Sequence, residues 1–180
     1  IAAGATTGSV TIANPNTEDV YLDAGPVSAT ISSATGGNFE QLTVNPAAAV
    51  TNVTDTINTT AVNLAVSSAA VAEGASVTYT VSVANAVTGT PLAVTLNNGQ
   101  TITIPVGATS ATGPAIVLRP DDALVQGTTT TTAAITGTSG GNFEALNTSA
   151  TVATTVTDGT ATGTTVTLSA PATVAEGTAI

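Results

Sequence analysis

The sequence repeats itself at a distance of about one domain. The pentapeptide Gly-Gly-Asn-Phe-Glu occurs at Gly36–Glu40 and again at Gly140–Glu144, and the two copies contain both phenylalanines of the 180-residue chain. Val-Thr-Asp begins at Val53 and again at Val156, about 103 residues later, and Val-Ala-Glu-Gly returns after the same interval. Because this period is that of a whole domain, it predicts similar domains arranged end to end rather than a solenoid of small units.

The phase of the repeat divides the chain into three parts. Residues 1–57 are predicted to be the C-terminal part of one repeat, residues 58–160 one complete repeat, and residues 161–180 the start of a third. This phase indicates a piece of a longer protein, so the absence of a targeting segment or an adhesive head from these residues carries no conclusion.

Composition excludes several classes of function. The chain has eleven carboxylates, Arg119 as its only basic side chain, and a net charge of −10. Binding to nucleic acid or to anionic lipid needs basic groups, so neither is expected as a partner. No apolar run approaches the ~20 residues of a membrane span, so no membrane insertion is expected in this segment. Without Cys, disulfides and thiolate–metal sites are excluded.

Seven segments of the complete repeat have apolar side chains at every second residue, the pattern of a half-buried strand. In Ser76–Val83 the odd-numbered residues are apolar and the even-numbered ones carry hydroxyls. Asn98-Gly99 between two such segments is typical of a hairpin. The sequence therefore predicts an all-β fold made of tandem immunoglobulin-like β-sandwich repeats of about 103 residues, arranged end to end. The predicted strands are A (about 61–67), B (75–84), C (91–97), D (100–105), E (113–119), F (128–137) and G (150–157).

Four acidic residues are predicted to meet at one pole of the complete repeat. Glu73 lies in the A–B connection, Asp121 and Asp122 lie in the E–F connection, and Asp158 follows strand G. Since successive strands run in opposite directions, these connections share one end of the domain, where the Asn98 turn also lies. Converging carboxylates repel one another unless a cation lies among them. Oxygen ligands in flexible loops, without Cys or His, favour Ca²⁺.

The preceding repeat has matching acids, because Asp55 corresponds to Asp158 and Glu18-Asp19 corresponds to Asp121-Asp122. For each residue taken alone, the alternative is an ordinary solvated turn, since Asp and Asn are common turn formers. The predicted metal ligands are Glu73, Asp121, Asp122, Asp158, Glu18, Asp19 and Asp55.

The Gly-Gly-Asn-Phe-Glu loop falls in the F–G connection, at the opposite end of the domain. Phe143 and Phe39 are each predicted to be a large apolar plug that closes the end of a sandwich built from small side chains. Glu144 has a second possible role, because this end abuts the preceding repeat. It is expected to approach the Asp55 cluster across the junction 56–60, either as a neighbour or as a direct ligand.

Several longer motifs point to a family. They are the Val166–Thr178 segment, the Thr101–Gly107 segment, the Asp-Asp pair, Gly-Gly-Asn-Phe-Glu and the Val53–Ile57 segment. Together they resemble the tandem extender repeats of giant RTX-type adhesins, the large surface adhesion proteins of biofilm-forming Gram-negative bacteria. The resemblance covers essentially the whole chain. The Val-Ala-Glu-Gly and Asp-Asp pattern is also similar to Calx-β domains, which bind calcium at one end of a sandwich.

The resemblance implies a location and a set of partners. It implies export by a type I system to the bacterial cell surface and folding in external calcium. It also implies calcium ions at the domain junctions, which stiffen a rod that carries a ligand-binding tip away from the cell. The implied partners are neighbouring repeats of the same chain and calcium ions, with a surface or cell ligand bound by regions outside this segment.

The leading hypothesis is therefore a structural spacer of an adhesin. The alternative is a carbohydrate- or protein-binding β-sandwich module, although Tyr21 and Tyr79 are the only other aromatic residues and strand B turns Tyr79 inwards. An enzyme is the least favoured reading, because no His, Cys or Lys is present to act as a base or nucleophile.

Overall fold

All regular secondary structure in the protein is β. The computed structural model describes residues 1–179 and contains no helix among them. The predicted all-β class is confirmed. The strands are β1 (Val27–Ala29), β2 (Ala49–Thr51), β3 (Thr59–Ala61), β4 (Asn63–Val66), β5 (Ala70–Ala72), β6 (Ser76–Val77), β7 (Tyr79–Ser82), β8 (Leu92–Leu96), β9 (Thr101–Ile104), β10 (Ser110–Thr112), β11 (Ile116–Val117), β12 (Thr129–Ser139), β13 (Ala145–Asn147) and β14 (Thr151–Thr157).

Residues 59–157 form two main sheets around one core, as a β-sandwich does. One sheet has the order β10-β7-β4. The short β11–β6 pair is formed by the adjoining residues of the same segments, because β6 precedes β7 and β11 follows β10. The other has the order β5-β14-β12-β8-β9, in which only β5 runs parallel to its neighbour. Both contribute alternate apolar side chains to the core, as period-two segments should. Tyr79 and Val81 come from the first sheet, and Leu92, Val94 and Leu96 from the second, all of them fully buried.

Two predicted features of the strand pattern are confirmed. The Asn98-Gly99 turn joins β8 and β9 as an antiparallel hairpin, in which the Leu96 N–H donates to the Gln100 carbonyl at 2.9 Å. The pairs β4–β7, β7–β10, β8–β9, β8–β12 and β12–β14 are all antiparallel, and β5 runs parallel to β14, as the predicted reversals from strand A to strand G require.

Strands A and E differ from prediction. The sequence predicts strand A as one segment, whereas the structure has three, β3, β4 and β5. The division arises because β4 pairs with β7 in the β10-β7-β4 sheet, and the chain then crosses to the other sheet, where β5 pairs with β14. Strand E begins earlier, as β10, and is interrupted at Gly113-Pro114 before β11. Pro114 has no N–H to donate to a neighbouring strand. The short β13, which pairs in parallel with β3, was not predicted.

The remaining segments carry little regular structure. In residues 1–57 the strands β1 and β2 form an antiparallel pair, and most side chains are exposed. Residues 161–179 contain no strand and are exposed. Ile180, the last residue of the predicted third repeat, lies outside the described residues.

Candidate functional site: an acidic pole and a junction

Three chain segments meet at the predicted acidic end of the sandwich, which we call the far pole (Glu73, Arg119, Asp121, Asp122 and Asp158). The Glu73 N–H donates to the Thr157 carbonyl at 2.9 Å, and the Gly74 N–H donates to the Arg119 carbonyl at 2.8 Å. These two bonds tie the end of β5 to the ends of β14 and β11. The convergence expected from the strand reversals is therefore observed for these segments.

Asp121 packs against two glycines at the far pole. A Cβ atom on Gly74 would lie 2.9 Å from the Asp121 Cβ, and one on Gly159 would lie 3.2 Å from the Asp121 Oδ1. Gly74 also has a φ of +75°, a conformation that favours glycine. The Glu-Gly and Asp-Gly pairs of the sequence thus bring backbone close to the Asp121 carboxylate.

Arg119, the only basic side chain, lies among these acids. Its Nε is 3.2 Å from the Glu73 Oε2, and its Nη2 donates to the Asp158 Oδ1 at 2.9 Å. Its Nη1 donates to the Gly127 carbonyl at 3.0 Å. The Nε–Oε2 contact is too poorly aligned to be a hydrogen bond, so it is a close ion pair. The guanidinium therefore supplies positive charge at the centre of the far pole.

The two acids paired with Arg119 differ in exposure. Glu73 is 7% exposed and also accepts a hydrogen bond from the Gly159 N–H at 3.1 Å. Asp158 accepts from the N–H groups of Gly127 at 2.9 Å and Gln126 at 3.1 Å. The Gly127 hydrogen bond, helped by Gln126 and Arg119, holds the pKa of Asp158 below its usual range, although partial desolvation opposes the shift.

Asp122 and Asn98, both expected at this end of the sandwich, form hydrogen bonds within their own loops rather than with Arg119. Asp122 closes its own loop, because Oδ1 accepts from the Leu124 N–H at 2.7 Å and Oδ2 accepts from the Gln126 Nε2 at 2.6 Å. Asn98 accepts from the Gln100 N–H within its hairpin turn. Neither side chain reaches the group around Arg119 in the described residues.

The acids of residues 1–57 repeat this local arrangement without a basic residue. Asp55 accepts from the N–H groups of Asp23 at 3.2 Å and Ala24 at 2.9 Å, as Asp158 does from Gln126 and Gly127. Asp19 accepts from the Tyr21 N–H at 2.7 Å, as Asp122 does from Leu124. Asn16 stands at the position that corresponds to Arg119. This end of the chain therefore has equivalent carboxylates and no guanidinium.

A junction connects the segment 18–23 to the Gly-Gly-Asn-Phe-Glu loop at 140–144, with Asn58 at its centre. The Asn58 N–H donates to the Glu144 Oε2 at 2.6 Å. The Asn58 Nδ2 donates to the Glu18 Oε1 and, at 3.0 Å, to the Asp19 carbonyl. Three oxygen atoms, two of them from carboxylates, thus converge on one neutral amide residue. Glu144 approaches the preceding segment, as predicted.

An aromatic pair closes the same junction. Phe143 is 7% exposed, so its prediction as an apolar plug is confirmed, whereas Phe39 is 68% exposed and does not plug a core. The Tyr21 and Phe143 rings are 5.4 Å apart at 32°, and the Tyr21 hydroxyl donates to the Ala86 carbonyl at 2.6 Å. Phe39 differs because no counterpart of the Tyr21 segment lies against its loop among the described residues.

A comparison with protein-family models identifies the family. The model described as LapA domain matches residues 1–56 and again residues 58–160. The chain belongs to the LapA domain family. LapA adhesins are cell-surface proteins that act in adhesion, and the family is adhesive rather than enzymatic. No curated protein and no solved structure matches the chain. No helix in residues 1–179 is long and apolar enough to cross a membrane.

The junction calcium implied by the resemblance to RTX-type adhesins can be tested against the donor groups of this LapA domain chain. Among residues 1–179, no three acidic side chains lie close enough together to hold a metal ion. At the far pole the Arg119 guanidinium already fills the space between Glu73 and Asp158. At the junction, Glu18, Glu144 and the Asp19 carbonyl supply hard oxygen donors without a basic neighbour, so the donor chemistry fits a hard cation better there.

Sequence reasoning missed three residues of this region. Arg119 was counted as a basic residue but was not placed among the acids, although it precedes Asp121 by two positions at a strand end. Asn58 lies within the predicted junction 56–60, but its hydrogen bonds to Glu144 and Glu18 are not predicted. Tyr21 is not assigned to the junction. The signal for Tyr21 was its position two residues after the acid pair, because a pole that meets the next domain needs an apolar contact as well as charge.

Proposed function

We propose that the chain is an extender segment of a cell-surface adhesin, in which successive β-sandwich repeats dock pole to pole and calcium stiffens their junctions. The repeats set the distance between the cell and a ligand-binding tip that lies outside this segment. The proposed partners are neighbouring repeats of the same chain and calcium ions, and the proposed route to the cell surface is type I secretion.

The observation that carries this proposal is the junction between residues 18–23 and the loop 140–144. It combines backbone hydrogen bonds, the Tyr21–Phe143 ring contact and several carboxylates that face across the boundary. A flexible linker would be rich in Gly and Ser and would make few such contacts. A packed, charged joint between two consecutive repeats is what a spacer with a controllable angle requires.

The proposed ligands fall into two groups of different accessibility. Glu18, Asp19 and Asp55 are the more accessible proposed calcium ligands, because no basic side chain neutralises them. Glu144 is the proposed ligand from across the junction. At the far pole, Asp121 and Asp122 remain exposed, while Glu73 and Asp158 are proposed as ligands only after Arg119 moves aside. When bound, calcium supplies the positive charge that these carboxylates lack. Without it, their mutual repulsion loosens the joint.

Little in the structure favours the alternative of a sugar-binding module. Sugar sites use exposed aromatic platforms, but Tyr79 and Phe143 are buried and Tyr21 is packed against Phe143. Phe39 is the exposed aromatic side chain of the described residues, and it stands in a loop rather than on a sheet face.

The test is a calcium titration by calorimetry. Extracellular calcium modules typically bind with Kd of ~10⁻⁴–10⁻³ M, and we expect a value in this range for the wild-type chain. Asp19→Asn with Asp55→Asn should weaken binding by about tenfold or more, because each removes a charged donor. Glu40→Gln is the matched control, since Glu40 is acidic and exposed but belongs to neither cluster. Absence of binding to the wild-type chain, or an equal loss in the Glu40 variant, would contradict the calcium proposal.

A further inference from the structure

The junction described above has two halves that can be recognised separately. One half is the segment Val20–Leu22, and the other is the Gly-Gly-Asn-Phe-Glu loop. The Leu22 N–H donates to the Asn142 carbonyl at 3.0 Å, and the Glu144 N–H donates to the Val20 carbonyl at 3.0 Å. This is an antiparallel bridge that pairs Tyr21 with Phe143. The two halves thus meet edge to edge through backbone and through one ring contact.

The far pole carries a second copy of the first half. The segment Ala123–Val125 follows Asp122, whose Oδ1 accepts from the Leu124 N–H at 2.7 Å. The Asp19 Oδ1 accepts from the Tyr21 N–H at the same 2.7 Å. Both segments are therefore held in the same turn by the same kind of hydrogen bond, with Leu124 at the position of Tyr21.

This second copy makes no edge contact in the described residues. Leu124 is 66% exposed and Val125 is 96% exposed, whereas Val20 and Tyr21 pack against the core cluster. Within residues 1–179 neither the Val125 N–H nor the Ala123 carbonyl makes a hydrogen bond, although the equivalent groups of Leu22 and Val20 do. An edge with exposed apolar side chains and free backbone groups is open for pairing.

The second half of the junction keeps its shape whether or not it is covered. Gly140, Gly141 and Asn142 have φ values of +80°, +88° and +52°. The earlier copy of the loop has nearly the same values, +83°, +84° and +56° for Gly36, Gly37 and Asn38. The exposed Phe39 shows that such a loop presents its aromatic ring to solvent when no edge segment lies against it. The loop is thus a preformed partner for an edge of this kind.

We propose that Ala123–Val125 is a docking edge for the Gly-Gly-Asn-Phe-Glu loop of another repeat of this kind, with Leu124 against the phenylalanine of that loop. The inference rests on the proposed function, since it requires that a further repeat follow. It adds a specific protein–protein contact that does not depend on a bound ion. Asp121 and Asp122 beside the edge make an anionic surface an unsuitable partner.

The test uses the full 180-residue chain followed by a copy of its residues 78–160. Because residues 161–180 correspond to residues 58–77, this addition completes one more repeat with its own loop. The chain has no cysteine, so introduced thiols report without background. The test pair combines Leu124→Cys with Phe143→Cys in the added copy. The positive control combines Tyr21→Cys with Phe143→Cys in the original copy, and the negative control replaces Leu124→Cys by Val106→Cys, at the opposite pole.

A disulfide forms only where the Cα atoms come within about 7 Å. We expect the test pair to close within about tenfold of the rate of the positive control, because both are intramolecular contacts of the same kind. The negative control should stay open. A test pair that stays open while the positive control closes would overturn the inference.

A second measurement protects against distortion by the thiols. Leu124→Asp should lower the melting temperature of the extended chain and leave that of the 180-residue chain unchanged, because Leu124 is exposed in the latter. Equal effects in both chains would contradict docking at this edge.

Both measurements are made with chelator and with calcium, so the two proposals can fail separately. If the disulfide forms in chelator and the scattering profile is the same with and without calcium, docking is supported and calcium stiffening is refuted. Failure to close in either condition, together with a rod that lengthens in calcium, would refute docking at Ala123–Val125 and leave the calcium-stiffened extender standing.

Discussion

Replacement of Arg119 by Gln should destabilise the protein through Glu73. The Glu73 side chain is 3% exposed, and the Arg119 side chain that faces it is 13% exposed. Removal of one partner of a buried ion pair typically costs about 3–5 kcal/mol because the other charge is left uncompensated. Glu73 keeps its hydrogen bond from the Gly159 N–H, which reduces that loss.

We therefore expect Arg119→Gln to lower the free energy of unfolding by about 2–3 kcal/mol at pH 7. The assay is urea denaturation followed by circular dichroism. In the double variant with Glu73→Gln the two changes should compensate by at least about 1 kcal/mol, since neither charge is then unpaired.

Calcium provides a further arm of the same experiment. Arg119→Gln leaves Glu73, Asp121 and Asp158 without a counter-charge, so calcium should raise the stability of this variant more than that of the wild-type protein. A loss below about 0.5 kcal/mol, as for an ordinary surface substitution, or strictly additive effects in the double variant, would refute the assignment of Arg119 as the cation of the far pole.

Three other outcomes follow from burial and hydrogen bonding. Phe143→Ala should cost about 3–5 kcal/mol in urea denaturation, whereas Phe39→Ala in the same pentapeptide should change stability by less than about 0.5 kcal/mol; similar losses would contradict the difference in burial. Burial raises the pKa of Tyr79. In Tyr21→Phe, which leaves Tyr79 as the only tyrosine, the absorbance change of tyrosine ionisation should therefore come above about pH 10. The free energy of unfolding should fall as pH rises through this transition. The pKa of Asp158 lies below its ordinary value of about 3.9, so its contribution to stability is present above that value and is lost as pH falls further. The melting temperature below pH 4 should therefore depend less on pH in Asp158→Asn. An unchanged dependence would contradict the hydrogen bonds from Gly127 and Gln126.

The strand pattern was predictable because burial alternates along a strand. Every second residue of β7 and β8 is apolar, and these are the residues that the sandwich buries. The break in strand E was less visible, since it depends on Pro114 and on the side chain of Gln100, whose Nε2 donates to the Pro114 carbonyl. The division of strand A depends on pairing with β14, which no local pattern records.

The acidic pole was predictable from topology, but its charge balance was not. Reversal of the strands is enough to bring the segments of Glu73, Asp121 and Asp158 together. The direction of a long flexible side chain such as Arg119 depends on the carbonyl of Gly127 and on two carboxylates that are distant in sequence. The exposure of Phe39 against the burial of Phe143 likewise depends on which neighbouring segment covers each loop, although the two pentapeptides are identical.

Small-angle X-ray scattering of the chain, with about 2 mM calcium and then with chelator, tests the central proposal most directly, since this concentration exceeds the ~10⁻⁴–10⁻³ M typical of extracellular calcium modules. We predict a larger maximum dimension and a stiffer profile with calcium, and a smaller response to the same calcium concentration in Asp19→Asn with Asp55→Asn. Superimposable profiles of the wild-type chain in the two conditions would contradict a calcium-stiffened extender.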